Sequence, residues 1–197
     1  MKQIVCFGDS NTWGYNPNTA ERYQWGVRWT SILQEKLTFE KVRVMEEGLC
    51  GRTTVFEDEF RDGRRGIETL PLLLESHAPL DVIVLMLGTN DCKSVYHANE
   101  KIIGLGIESL LKVIKEKQPT AKVLLVSPIH LGDDVWKSEF DPEFDSDSVV
   151  VSKQLKGVYE DIAKRYQTEF LAASDYAQFS TADMEHMDAE GHKKLAD

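Results

Sequence analysis

Three residues of this chain have the types that acyl-transfer chemistry on a serine requires. Ser10 follows Gly8 and Asp9 near the start, and Asp183 and His186 lie three residues apart near the end. A serine hydroxyl is a weak nucleophile until a base removes its proton, and histidine suits that task at neutral pH. The histidine needs a carboxylate that holds its tautomer and stabilises the imidazolium. We therefore predict Ser10 as nucleophile, His186 as base and Asp183 as the acid.

Two further positions could stabilise the negative charge that develops on a tetrahedral intermediate. Gly51 lies in a glycine-containing turn that follows a predicted strand, and glycine allows close backbone approach. Asn90 follows another predicted strand and carries a side-chain amide. We predict an oxyanion hole made by the backbone N–H groups of Ser10 and Gly51 and by the amide of Asn90.

Other residues near these strand ends are candidates for a substrate pocket: Asp9, Asn11, Trp13, Cys50 and His130. Two of these candidates also have a structural interpretation, in which Asp9 braces the first loop and Trp13 packs in the core. Arg52 could bind a polar substrate group, but a structural salt bridge is the favoured interpretation. His192, with Asp188 as its acid, is the rival to the histidine and aspartate named above.

The elements that must position these residues alternate between strand-like and helical patterns. Strands are predicted at residues 2–8, 42–46, 81–87, 122–127 and 169–172, and helices near 25–37, 66–77, 99–117 and 148–166. Continuous apolar runs such as IVCF, VIVLML and VLLV are typical of strands covered on both faces. We predict one α/β domain over residues 1–197, with three α/β/α layers and a mainly parallel sheet of about five strands. In such sheets, ligands bind beyond the carboxyl ends of the strands, where the candidate residues lie.

Composition narrows the classes of partner. The chain has 33 acidic and 23 basic residues and a net charge of -10, which argues against nucleic-acid binding and against an anionic membrane surface. Three scattered cysteines indicate neither a disulfide framework nor a metal site. The first residues enter a strand pattern without a signal-peptide pattern, so we expect a cytoplasmic protein. Residues 130–147 are predicted to form a long loop, and the final helical pattern is short enough to suggest a truncated helix.

Four strings resemble the motif blocks of the SGNH (GDSL-type) hydrolases, in the same order and along essentially the whole chain. These strings are GDSNTWGY, GLCGRTT, GTND and DMEHMDAEGH. The resemblance implies a flavodoxin-like fold, a serine esterase and the triad and oxyanion residues named above. It is closest to the aryl esterase and acyltransferase branch, which implies a short-chain ester substrate, no metal or organic cofactor and self-association as a candidate property.

The strings also depart from the family pattern. Asn11 replaces the leucine of the GDSL string, Cys50 replaces a more usual serine, and Met184 and Glu185 fill positions where a glycine is expected. The last departure could change the turn that presents His186. A carbohydrate O-acetylesterase, a thioesterase or lysophospholipase, and a flavodoxin-like binding module stay open as alternatives, although no GxGxxG or P-loop string follows a predicted strand.

Overall fold

Five parallel strands form the centre of the molecule. The computed structural model describes all 197 residues, and the sheet order is β2-β1-β3-β4-β5. The strands are β1 (Lys2–Gly8), β2 (Val42–Gly48), β3 (Val82–Met86), β4 (Lys122–Ser127) and β5 (Glu169–Ala172). Every neighbouring pair is parallel. The predicted α/β fold with a five-stranded parallel sheet is therefore confirmed.

The chain forms six helices, five of which cover the two faces of this sheet. The six are α1 (Ser10–Trp13), α2 (Trp29–Leu37), α3 (Gly66–Ser76), α4 (Glu100–Lys117), α5 (Ser146–Tyr166) and α6 (Ala189–Ala196). Helices α3, α4 and α5 pack on one face, and α2 and α6 pack on the other. No helix of the structure has both the length and the apolar character that a membrane crossing would need.

The alternation of side chains along the strands builds two separate cores. In β3, Ile83 and Leu85 face the core beneath α3, α4 and α5, whereas Val84 and Met86 face α2 and α6. This division follows from the two-residue period of a strand, and it explains why β3 is apolar at every position. Burial of each such side chain contributes about 1.5–3 kcal/mol to folding.

Some predicted boundaries are corrected by local backbone chemistry. Helix α2 begins at Trp29 rather than near Trp25, because Gly26 adopts a φ of 84° and Arg28 is extended. Helix α5 begins at Ser146, two residues earlier than predicted, because the Asp145 side chain caps it by accepting the Ser148 N–H.

Candidate active site

A tight turn between β1 and α1 places Ser10 at the carboxyl edge of the sheet. Asp9 caps α1, and its Oδ1 accepts a hydrogen bond from the Asn11 N–H at 3.0 Å. A side chain at Gly8 would put its Cβ 2.8 Å from the Met86 carbonyl oxygen, so the turn requires glycine there. Ser10 is the first residue of α1, where the backbone N–H has no partner within the helix.

His186 joins Ser10 to Asp183 through a continuous chain of hydrogen bonds. Its Nε2 lies 2.8 Å from Ser10 Oγ, and its Nδ1 lies 2.7 Å from Asp183 Oδ2. Since a carboxylate only accepts, Nδ1 carries the proton and Nε2 offers its lone pair to the serine hydroxyl. This is the tautomer in which a histidine can act as base toward Ser10.

The turn that presents His186 forms without the glycine expected from the family pattern. Met184 adopts a φ of 62° in the left-handed region, which few non-glycine residues enter. Its N–H donates to the Ser180 carbonyl at 2.8 Å, and its own carbonyl accepts from the Gly132 N–H at 2.7 Å. Asp183 Oδ1 accepts the backbone N–H of His186 at 3.0 Å, which closes the turn. These bonds compensate for the unfavourable backbone conformation.

The ring of His186 is held from two further directions. The Tyr15 ring packs on it with centroids 4.3 Å apart. The next residue, Met187, donates its N–H to Asn11 Oδ1 at 2.9 Å, which ties the C-terminal segment to α1. Asn11, a substrate-pocket candidate in the sequence, is thus buried beneath the site as a brace.

Burial and nearby charges shift the pKa values of His186 and Asp183 in opposite directions. Burial lowers the pKa of His186, but the carboxylates of Glu185, Asp183 and Asp9 raise it by more, so the net shift is upward. Burial raises the pKa of Asp183, but its hydrogen bonds to His186 outweigh that effect and the net shift is downward. Asp183 is therefore the partner that stays ionised at neutral pH.

Gly51 and Asn90 lie in the same cleft as Ser10. Gly51 adopts a φ of 81°, and a Cβ there would approach the Arg61 guanidinium to 2.9 Å. The amide of Asn90 donates one N–H to the Arg52 carbonyl at 3.1 Å, which leaves its second N–H for a ligand. The structure thus brings the three predicted oxyanion residues together.

Asp91, which the sequence analysis did not single out, connects two of the motif segments. Its carboxylate accepts the Thr54 N–H at 2.9 and 3.1 Å and also the Thr54 hydroxyl. Burial raises the pKa of Asp91 to about 6, although these hydrogen bonds oppose the shift. The sequence offered one signal that Asp91 belongs to the site, namely its position next to Asn90 in the GTND string. Asp91 holds the Gly51 turn against the Asn90 turn.

The cleft is small and polar. Its volume is about 250 Å³, and its lining contains four carboxylates, the cationic side chains of Arg61 and Lys93, and His186. The lining residues are Ser10, Tyr15, Cys50, Gly51, Arg61, Asn90, Lys93, Phe140, Asp141, Glu143, Asp183, Glu185 and His186. The predicted loop at 130–147 supplies Phe140, Asp141 and Glu143, and Glu143 pairs with the buried Lys93. Sequence reasoning missed these loop contacts because no local pattern predicts where a loop folds back.

Of the remaining pocket candidates, Cys50 alone lines the cleft, and burial raises the pKa of its thiol to about 11. Asp9 is buried behind Ser10, where burial raises its pKa to about 7. The structure does not bring Trp13 or His130 into the cleft. Trp13 packs near the Arg22 guanidinium, and His130 borders a separate cavity beside Lys153.

The rival pair, His192 and Asp188, does not face Ser10. His192 is fully buried, its Nδ1 accepts the Trp29 N–H at 3.3 Å, and burial lowers its pKa to about 4. Asp188 caps α6 by accepting the Gly191 N–H at 2.8 Å. Arg52 also has a structural position, but the expected salt bridge is wrong, since its guanidinium donates to backbone carbonyls, including that of Gly8 at 2.8 Å.

The sequence profile of the GDSL-like lipase/acylhydrolase family matches residues 6–194. The chain belongs to this family. The resemblance carried by the four motif strings is thereby confirmed, and this GDSL-like hydrolase is a carboxylic ester hydrolase.

Solved structures of GDSL-like relatives superpose closely on the chain. A carbohydrate acetylesterase family member from Sinorhizobium meliloti is 34% identical, with a TM-score of 0.90 and coverage of 100% of this chain and 94% of the other. The native aryl esterase of M. smegmatis is 31% identical, with a TM-score of 0.90 and coverage of 100% and 95%. Among curated proteins, no significant match is found.

Proposed function

We propose that this GDSL-like hydrolase cleaves short-chain carboxylic esters through an acyl-enzyme on Ser10. The observation that carries the proposal is the hydrogen-bond chain from Ser10 through His186 to Asp183, at 2.8 and 2.7 Å. These distances lie within the range that a nucleophile, its base and the orienting group require.

In the proposed reaction, Ser10 Oγ attacks the ester carbonyl carbon while its proton passes to His186 Nε2. The imidazolium then donates that proton to the leaving alcohol oxygen, and the ester C–O bond breaks. Asp183 stays ionised and stabilises the imidazolium. Water next attacks the acyl group, gives its proton to His186 and releases the acid, and His186 returns the proton to Ser10.

The proposed oxyanion hole acts on the carbonyl oxygen in both steps. The N–H groups of Ser10 and Gly51 and the free N–H of Asn90 are the donors. Fixed donors in a partly buried site need no reorganisation when the charge develops, which makes them effective. No cofactor takes part in any proposed step.

The size of the cleft supports a short acyl chain. A volume of about 250 Å³ lies below the roughly 300–1,000 Å³ of typical small-molecule pockets. Tyr15 and Phe140 are the only phenylalanine, tyrosine or tryptophan residues in the lining of the cleft. An acetyl group fits this description better than a long fatty acyl chain, which needs a deeper apolar pocket.

The polarity of the cleft favours an acetylated carbohydrate as a second candidate beside aryl acetates. Asp141, Glu143 and Glu185 provide acceptors that the hydroxyl groups of a sugar can use. The same carboxylates disfavour the anionic substrates of a lysophospholipase or a coenzyme A thioesterase, since like charges repel.

The proposal is tested by hydrolysis of p-nitrophenyl acetate by the wild-type protein and by Ser10→Ala. Turnover by the wild type and background rates for the variant are expected. Equal rates for the two proteins, or none for either, would refute the proposal. An acyl-chain series and an acetylated sugar, assayed next, separate the two substrate candidates.

Location and assembly belong to the same proposal. All three cysteines are free thiols, which fits a reducing compartment such as the cytoplasm. The exposed Ile102 and Leu105 on α4 are candidate contacts for self-association, and analytical ultracentrifugation of the purified protein measures it.

A further inference from the structure

Glu185 places a carboxylate in the catalytic cleft that no protein group satisfies. Its side chain is only 8% exposed, and the one basic nitrogen within 4.0 Å is His186 Nε2, at 3.8 Å. Its backbone N–H donates to Asp183 Oδ1. Its carboxylate accepts no hydrogen bond, and only burial and nearby charges act on its pKa, with burial raising it.

Two other acids of the site have their donors supplied by the protein itself. Asp183 accepts bonds from His186 and from the backbone, and Asp91 accepts three bonds from Thr54. Glu185 lines the cleft, and its carboxylate oxygens are not fully enclosed by protein atoms. A molecule that occupies the cleft can therefore reach this carboxylate and supply the missing donor.

The position of Glu185 relative to His186 indicates which molecule in the cleft could donate a hydrogen bond to Glu185. His186 Nε2 faces Ser10, and it is the atom that takes the proton of the attacking oxygen when the acyl-enzyme is cleaved. An oxygen that donates one proton to Nε2 lies beside a carboxylate that is 3.8 Å from the same nitrogen. A water molecule has a second O–H to donate, and a simple alcohol does not.

We propose that Glu185 positions the attacking water by accepting its second O–H, and thereby favours hydrolysis over acyl transfer to alcohols. This inference rests on the proposed function, because it concerns the second half of that reaction. The water oxygen forms a bond to the acyl carbon while one proton passes to His186 Nε2, and the bond to Ser10 Oγ then breaks as His186 returns that proton to Oγ. The second proton remains on the product acid during this step.

An alcohol in the same place is at a disadvantage for a physical reason. Its alkyl group occupies the position of the second O–H, so Glu185 loses a charge-assisted hydrogen bond and is covered by carbon. A polyol such as glycerol carries a neighbouring hydroxyl that can reach Glu185 instead. Polyols should therefore compete with water better than monohydric alcohols of similar size.

The test measures how the acyl-enzyme divides between two acceptors. p-Nitrophenyl acetate is turned over at a fixed methanol concentration, and methyl acetate and acetate are quantified by NMR for wild type, Glu185→Leu and Glu185→Gln. Because this ratio is set after the acyl-enzyme has formed, it does not depend on the acylation rate or on the amount of folded enzyme. Glu185→Leu should raise the ratio of ester to acetate by roughly tenfold or more, with Glu185→Gln between it and wild type.

Glu139→Gln is the control. It removes one negative charge from the loop that borders the cleft, but Glu139 is exposed and does not line the cleft, so its ratio should stay near that of wild type. The inference is overturned if the ratio is unchanged in both Glu185 variants, or if Glu139→Gln changes it equally. If Glu185→Leu does not fold, Glu185→Gln alone decides. Failure of the proposed function can be distinguished from failure of this inference. If the proposed function is wrong, wild type and Ser10→Ala release p-nitrophenol at equal rates.

Discussion

His186 Nε2 lies 2.8 Å from Ser10 Oγ, although the two residues are 176 positions apart in the chain. The contact joins the first helix of the fold to the segment just before the last one. A second bond, from the Met187 N–H to Asn11 Oδ1, reinforces the same junction at 2.9 Å. The geometry of the candidate triad therefore depends on the correct docking of the C-terminal segment on α1.

Asn90→Ala should reduce turnover by roughly 10²–10³-fold if the amide is an oxyanion donor. The free N–H of Asn90 is lost, whereas Ser10 and His186 keep their hydrogen bond. Steady-state kinetics with p-nitrophenyl acetate measure the effect, and circular dichroism verifies folding. A loss of less than about threefold, far below the range for such a donor, would contradict the assignment.

Asp183→Asn should lower turnover heavily, by up to about 10⁴-fold as in serine proteases. The amide would present an N–H to Nδ1, which forces the tautomer with the proton on Nε2. His186 Nε2 could then no longer accept the Ser10 proton. Asp188→Asn is the matched control, because asparagine caps a helix about as well as aspartate does. If the control proved the damaging change and Asp183→Asn the harmless one, the acid would be misassigned.

The pH dependence of the reaction should report the raised pKa of His186. The base form of His186 is needed, so kcat/KM should fall as the pH drops through this pKa, which lies above the ordinary 6.5. Glu185→Gln removes one of the carboxylates that raise it, so the acidic limb should move to lower pH. A pH profile of both proteins checks this. An unchanged limb in the variant would show that Glu185 does not act on His186 through its charge.

Gly106→Ala should destabilise the protein, although alanine is the better helix former. A Cβ at Gly106, in α4, would lie 2.9 Å from Thr54 Cβ, and Thr54 is held by Asp91. Overpacking of this kind costs about 1–3 kcal/mol in the free energy of unfolding. Activity should decrease as well, because Thr54 and Asp91 hold the turns that carry Gly51 and Asn90 together.

Gly157→Ala on α5 is the control for that substitution. A Cβ added at Gly157 would meet no neighbouring atom within 4 Å, so the variant should gain up to about 1 kcal/mol from helix propensity alone. Urea unfolding of both variants measures the difference. Two variants of equal stability would mean that α4 moves away from Thr54 without cost.

The sheet could be predicted closely because local patterns encode it. Runs such as VIVLML are apolar at every position, and such a run is typical of a strand whose two faces are both covered. The beginning of α2 was less predictable. The sequence around Trp25 has helical spacing, but the positive φ of Gly26 delays the helix to Trp29, and a backbone conformation of this kind is not visible in hydrophobic spacing.

The sequence by itself determined the positions of the strands, the candidate catalytic residues and the family resemblance, because these depend on residue type and local spacing. Only the tertiary structure decided which candidates meet. It brings Ser10 and His186 together, buries His192 in the core, leaves His130 beside a different cavity, and places the unsatisfied Glu185 in the cleft. Contacts between residues far apart in the chain depend on how helices and loops dock over the sheet, and that docking is set by the packing of the whole molecule rather than by any local pattern.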